Sequence, residues 1–186
     1  LGSAAAAEVA LLALQQPTDR FLDYALGETV SALEKHWKKA LTAGKPLCAG
    51  NPAGLEYLLT RLDTGALALV RSNEPTHRER LTRHGLPTAD YVDALESLSR
   101  LTRHSLADEW LEAISRADQR GDGHADHLLS GLFAALRSLG TNVQRSLAKP
   151  LALLATEGRR GSTRKLATAA RIIAGGSIDP AWSEAI

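Results

Sequence analysis

The chain has 186 residues, of which 44% are hydrophobic and 23% charged, with a net charge of +1. That length can bury a core, and that balance excludes an intrinsically disordered segment. Near-neutrality excludes a global field drawing the chain to nucleic acid or an anionic membrane, no apolar run approaches the ~20 residues of a transmembrane helix, and a single cysteine, Cys48, excludes an internal disulfide.

Leu and Ala dominate while aromatic residues make up only 4%, a composition that favours helices packed closely on helices. The first helix is expected over residues 4–16, apolar on most sides and therefore covered by neighbours. Pro17 breaks it, and Thr18 or Asp19 caps the next. That second helix carries Phe21, Leu22, Tyr24, Ala25, Leu26, Val30, Leu33 and Trp37 at helical spacing and is expected to reach Leu41 before Gly44 stops it. Lys45 to Gly50 reads as a loop. Asn51-Pro52 then opens a helix with Asn51 as cap, and its buried stripe is Leu55, Leu58, Leu59 and Leu62. A short apolar piece follows from Asp63 or Thr64. Residues 75–84 read as a mostly polar helix ended by Gly85.

From Pro87 the pattern becomes regular. Thr88 caps a helix bearing Tyr91, Val92, Leu95, Leu98 and Leu101, and Ser105 starts its partner with Leu106, Trp110, Leu111 and Ile114. Asp122 caps a helix bearing Leu128, Leu129, Leu132, Phe133, Leu136 and Leu139. Thr141 or Asn142 opens the return helix, which Pro150 should kink or split. Ser162 begins a third pair with Leu166, Ala169, Ala170, Ile172 and Ile173, and Asp179-Pro180 opens a last helix. Leu98, Leu136 and Ala170 are equivalent positions, as are Leu101, Leu139 and Ile173, at separations of 38 and then 34 residues. Such a period points to an all-α, right-handed α-solenoid of HEAT-like antiparallel helix pairs. Residues 1–186 read as a single HEAT-like helical-repeat domain, with an irregular half (1–86) and a half of regular pairs (87–186). Neither end carries a polar capping helix, so the chain reads as a fragment of a larger multidomain protein.

Several groups of residues carry chemical potential. His124 and His127 stand three apart at a helix start, with Asp122 and Asp126 close by, and two imidazoles with a carboxylate are a donor set for zinc. No HExxH and no second ligand cluster accompany them, so Asp122 is read as a helix cap and the metal assignment as none. His77, Arg78, Arg80, Arg83 and His84 form one basic face, and Arg159, Arg160, Arg164 and Lys165 another. No aromatic residues interleave for base stacking, so both are read as solvated faces and no nucleic-acid partner is expected. Cys48 is a lone thiol in a loop and is read as incidental. Trp37, Lys38, Tyr57 and Arg61 are the candidate interaction surface, because the regular stack is interrupted between Trp37 and Tyr57.

The irregular half carries a family likeness. The segments QQPTDRFLDYALGETVSALEKHW (Gln15 to Trp37) and GKPLCAGNPAGLEYLLTRL (Gly44 to Leu62), with the closing SIDPAWSEAI (Ser177 to Ile186), resemble the HEAT-type region of exported, haem-c-binding membrane-bound dehydrogenases of planctomycetes and their relatives. The likeness runs through nearly all of the chain in order. It implies a parent protein with a β-propeller before the helical array and a C-x-x-C-H cytochrome c domain after it, and neither motif occurs in this sequence. It therefore implies no catalytic or haem residue here and no cofactor in this segment, with haem c elsewhere in the parent. An exported or periplasmic location follows from the resemblance alone.

The resulting expectation is a non-catalytic scaffold or docking segment of such a redox protein, its partners being other domains of the same chain or a separate protein. Two alternatives stand beside it. One is a stand-alone HEAT-like adaptor that binds a protein or peptide on its concave face. The other is a metal-dependent hydrolase using His124 and His127.

Overall fold

The computed structural model describes residues 3–175, and these form twelve α-helices and one 3-10 turn with no strand among the described residues. The protein is all-α. Its packing divides the chain into two compact units, one up to Glu79 and one from Arg80. The expected helix at Asp179-Pro180, and with it the closing segment of the family likeness, lies outside the described residues.

In the first unit, α1 (Ala4–Leu11) is opened by the Ser3 hydroxyl, which accepts the Ala6 amide at 3.1 Å, and it tightens into a 3-10 turn over Leu12–Gln15 before Pro17. The Asp19 carboxylate accepts the amides of Phe21 and Leu22 at 2.9 and 2.8 Å and starts α2 (Arg20–Ala32). The expected long helix is in fact two, because Leu33 leaves helical geometry and α3 (Glu34–Thr42) begins after it. Carbonyls in the last turn of a helix lack an intrahelical donor. Here the Val30 carbonyl receives the Trp37 indole N–H at 2.8 Å, so the break is closed by a side chain from the helix beyond it. Gly44, at φ +73°, ends α3.

Asn51 then joins two elements. Its carboxamide oxygen accepts the Gly54 amide at 3.0 Å and so caps α4 (Pro52–Thr60), while its amide group donates to the Leu11 carbonyl at 2.8 Å. Asp63 caps the short α5 (Thr64–Ala68) by accepting the Ala66 amide at 2.8 Å, and α6 (Glu74–Arg80) follows. The core of this unit gathers Leu11, Val30, Trp37, Leu58, Leu59, Leu62 and Leu67.

The second unit contains α7 (Thr88–Thr102), α8 (Leu106–Gln119), α9 (Ala125–Leu136), α10 (Thr141–Ser146), α11 (Ala148–Glu157) and α12 (Gly161–Gly175). Helix α9 packs on α7, α8 and α12, while α10 packs on α8 and α12. The Ser105 hydroxyl accepts the Asp108 amide at 3.1 Å and caps α8, as its position after the turn implies. The return helix is split, as Pro150 requires. It parts at Leu147, just before the turn in which Pro150 lacks the N–H that would have met Ser146. Leu98 and Leu136 are fully buried and Ala170 nearly so, which agrees with their equivalence. Close approach of α7 and α9 depends on Gly131, where an added Cβ would fall 2.7 Å from the buried Tyr91 ring.

Other expectations about burial were wrong. The first helical stretch is not covered all round: Val9 in α1 and Leu12 in the 3-10 turn face solvent, and only Ala7 and Leu11 of α1 are buried. Leu101 is 51% exposed although its counterpart Leu139 is buried, so the second column of equivalent positions does not hold at α7. In α12 the buried positions among the described residues are Thr163, Ala167 and Ala170, whereas Ala169 and Ile172 are exposed, and the side chain of Ile173 lies outside the described residues. The segment read as a polar helix over residues 75–84 is helical only to Arg80 and buries Thr76 and His77. His77 therefore does not belong to a solvated basic face. Its Nε2 lies 2.6 Å from the Ser72 hydroxyl.

Candidate functional site

Helix α2 buries only Leu26 and Val30, since α1 and α3 are the helices packed along it. Its other apolar side chains remain outside, with Phe21 68% exposed, Tyr24 71% exposed and Leu22 also exposed. Phe21 and Tyr24 are three residues apart and share a face, and Gly27 continues it one turn on. The far ends of two side chains, from α4 and from the residue that ends it, reach Gly27. A Cβ at Gly27 would lie 3.6 Å from a guanidinium nitrogen of Arg61 and 3.9 Å from the Tyr57 hydroxyl. Tyr57 and Arg61 thus adjoin the exposed aromatic side of α2.

Two arginines lie on these rings. The Arg61 guanidinium sits 4.5 Å from the Tyr57 ring centroid and donates to the Tyr57 hydroxyl, and Arg20 sits 4.6 Å from the Phe21 centroid. Such cation–π contacts hold flat, amphipathic surfaces in place at exposed sites. Beside them Lys38 bridges α3 to the start of α5, with Nζ 2.8 Å from Asp63 and 3.7 Å from Glu34. The hydrogen bond from Lys38, together with the Ala66 amide, holds the Asp63 carboxyl down at about 2, and the same bond raises Lys38. Both groups are solvent-exposed, so their pairing orients the side chains more than it stabilises the fold.

Of the four residues expected on an interaction surface, Lys38, Tyr57 and Arg61 are accessible. Trp37 is not: it is 1% exposed and its indole is spent on the Val30 carbonyl. The residues that take its place are Phe21 and Tyr24, whose helical spacing did not set them apart from the buried positions of the same helix.

The second unit has a polar cluster around the turn between α8 and α9. Asp118, at the end of α8, accepts the backbone amides of Arg159 and Arg160 at 2.7 and 2.9 Å and the hydroxyl of Thr163. It therefore caps α12 from a helix some forty residues earlier. Burial alone would raise the Asp118 carboxyl, but the Thr163 hydroxyl and these amides hold it below its ordinary value. The Arg160 side chain donates to the Arg120 carbonyl at 2.7 Å and to Asp126 at 2.9 Å. Asp126 also accepts from Ser162 at 2.7 Å, and the hydrogen bonds from Ser162 and Arg160 lower its carboxyl. A depression of about 370 Å³ lies among these groups.

The histidines expected as metal candidates lie next to this cluster. Asp122 is engaged elsewhere. Its carboxylate receives Arg120 Nε at 2.8 Å and the His124 amide at 3.0 Å, and the bond from Arg120 lowers its carboxyl. The His124 ring stacks on His84 at 4.2 Å between centroids, and His127 lies 6.4 Å from His84. Among the described residues no group of three His, Cys, Asp or Glu side chains converges to hold a metal ion. Cys48 is buried, at φ 57°, and its amide donates to Glu8 at 2.6 Å. Burial, reinforced by the Glu8 charge, pushes its thiol up to about 11, which leaves little thiolate at neutral pH.

Comparison with known proteins found no matching family model, no matching curated protein and no matching solved structure.

Proposed function

We propose that the chain is a non-catalytic, HEAT-like helical-repeat segment that docks a protein through the aromatic face of α2 and α4. The observation that carries this reading is the exposure of Phe21 and Tyr24 beside Tyr57 and Arg61. Tyrosine, phenylalanine and arginine are the residues enriched where proteins meet, and contiguous exposed apolar surface marks such sites. Packing of α9 on both α7 and α12, with α10 on α8, supports stacked helix pairs, because first helices neighbour first helices and return helices neighbour each other.

The docked partner in this reading is another domain of a longer exported redox protein that carries haem c outside this segment. The sequence likeness to haem-c-binding dehydrogenases supports that choice. A stand-alone adaptor would use the same face on a separate protein. The test is binding of the chain to its separately expressed neighbouring domains. Phe21→Ala/Tyr24→Ala should weaken it at least about tenfold, as loss of two aromatic anchors does. Binding unchanged by the double substitution would refute the assignment of the face.

A further inference from the structure

The first unit holds a second recess that shares no residue with the aromatic face. It is a half-open depression of about 600 Å³ between the start of α1, the outer side of α3 and the loop that follows α3. Among its lining residues Ala40 and Leu47 are buried and Ala4 is half-buried, which gives it an apolar base. Its rim carries His36, Lys39 and Lys45. Volumes of this size are typical of sites for small organic ligands.

The charge around it is one-sided. Among the described residues neither lysine nor His36 pairs with a carboxylate. The nearby Glu8 is engaged with the Cys48 amide at 2.6 Å. The first turn of α1 contains no acidic residue, so its amide end adds to the positive potential rather than offsetting it. A cationic rim over an apolar floor selects a ligand with one anionic end and an apolar body. A nucleotide is a poor fit, because His36 is the only aromatic side chain among the described lining residues and no Gly-rich loop cradles phosphates. Lysines act as point charges on flexible stems and do not demand the planar fork that arginine imposes, which suits a single carboxylate.

We propose that this recess binds an amphiphilic carboxylate, an unbranched apolar chain of medium length with one anionic head held by Lys39 and Lys45. The test is calorimetric titration of the 186-residue chain with dodecanoate, with dodecyltrimethylammonium and with acetate, each below its aggregation concentration. Dodecanoate should bind saturably with one equivalent, and the other two should not. Lys39→Gln/Lys45→Gln replaces two exposed side chains and should weaken dodecanoate at least about tenfold, the loss expected when charge-assisted contacts disappear. Ala43→Asp, which places a carboxylate on the wall, should weaken it as well, with circular dichroism verifying that both variants remain folded. Equal binding of the cationic and anionic detergents, binding of acetate as tight as dodecanoate, or unchanged binding by the lysine variant would each overturn the proposal.

Discussion

Removing the Asp118 carboxylate tests how the second unit is held together. Asp118 is 8% exposed and accepts two backbone amides and one hydroxyl from the turn that starts α12. In Asp118→Ala the amides of Arg159 and Arg160 regain water, because the depression beside them opens at the surface. Thr163 is fully buried, and its hydroxyl loses its carboxylate acceptor, at a cost of about 1–3 kcal/mol. Loss of a helix cap adds about 1 kcal/mol, and loss of a negative charge at the amide end adds about 0.3–1 kcal/mol. Release of a desolvated carboxylate offsets part of this. The net expectation is about 2–4 kcal/mol for Ala and roughly half as much for Asn, which keeps one acceptor. Chemical denaturation followed by circular dichroism measures the total, and hydrogen exchange at the first amides of α12 locates it.

The pH dependence follows from the direction of the shift. The folded-state pKa of Asp118 is depressed below 3.8, so its stabilisation is fully present above the unfolded value and is lost as pH falls through the folded one. The gap between the native chain and Asp118→Asn should therefore close below about pH 4. A loss under about 0.5 kcal/mol for Asp118→Ala, or faster exchange everywhere except α12, would refute the reasoning, since either lies outside the range for a lost buried cap.

Gly131→Ala should destabilise the protein by about 1–2 kcal/mol. A better helix former stands in α9, but its methyl meets the fully buried Tyr91 ring, and overpacking outweighs the propensity gain of about 1 kcal/mol. A stabilised variant in the same denaturation assay would show that the ring yields freely. Leu98→Ala and Leu136→Ala should each cost about 2–5 kcal/mol, whereas Leu101→Ala, at a position the repeat pattern treats as equivalent to a core residue, should cost under about 1 kcal/mol. Equal losses at Leu98 and Leu101 would contradict the observed register.

Four helix starts were legible in the sequence because capping is local, whereas α7 and α9 begin without the side-chain caps expected of Thr88 and Asp122. Asp19, Asn51, Asp63 and Ser105 each accept an amide two or three residues on, and their residue types announce it. The interruption at Leu33 was not legible, since no Pro or Gly marks it and the indole that closes it comes from Trp37. The exposed aromatic side of α2 was hidden for a different reason. Apolar spacing in α2 shows which side chains are able to be buried, but burial needs a neighbouring helix on that side, and Phe21 and Tyr24 have none sufficient to cover them. The Asp118 cap was invisible because its partners lie more than forty residues along the chain. His84 joined His124 by the same kind of long-range contact.

The two buried indoles have a use beyond architecture. Trp37 donates to the Val30 carbonyl within the first unit, and Trp110 donates to the Leu132 carbonyl within the second, each at 2.8 Å. Trp110 also meets Phe133 edge-on at 5.1 Å between ring centroids. Trp37 and Trp110 are thus shielded from water and anchored to a helix carbonyl, one in each unit, while the third tryptophan of the sequence, Trp182, would have to be replaced by Phe for them to report alone. In single-tryptophan variants that keep only Trp37 or only Trp110, the order in which the halves lose their structure can be followed without attaching any label.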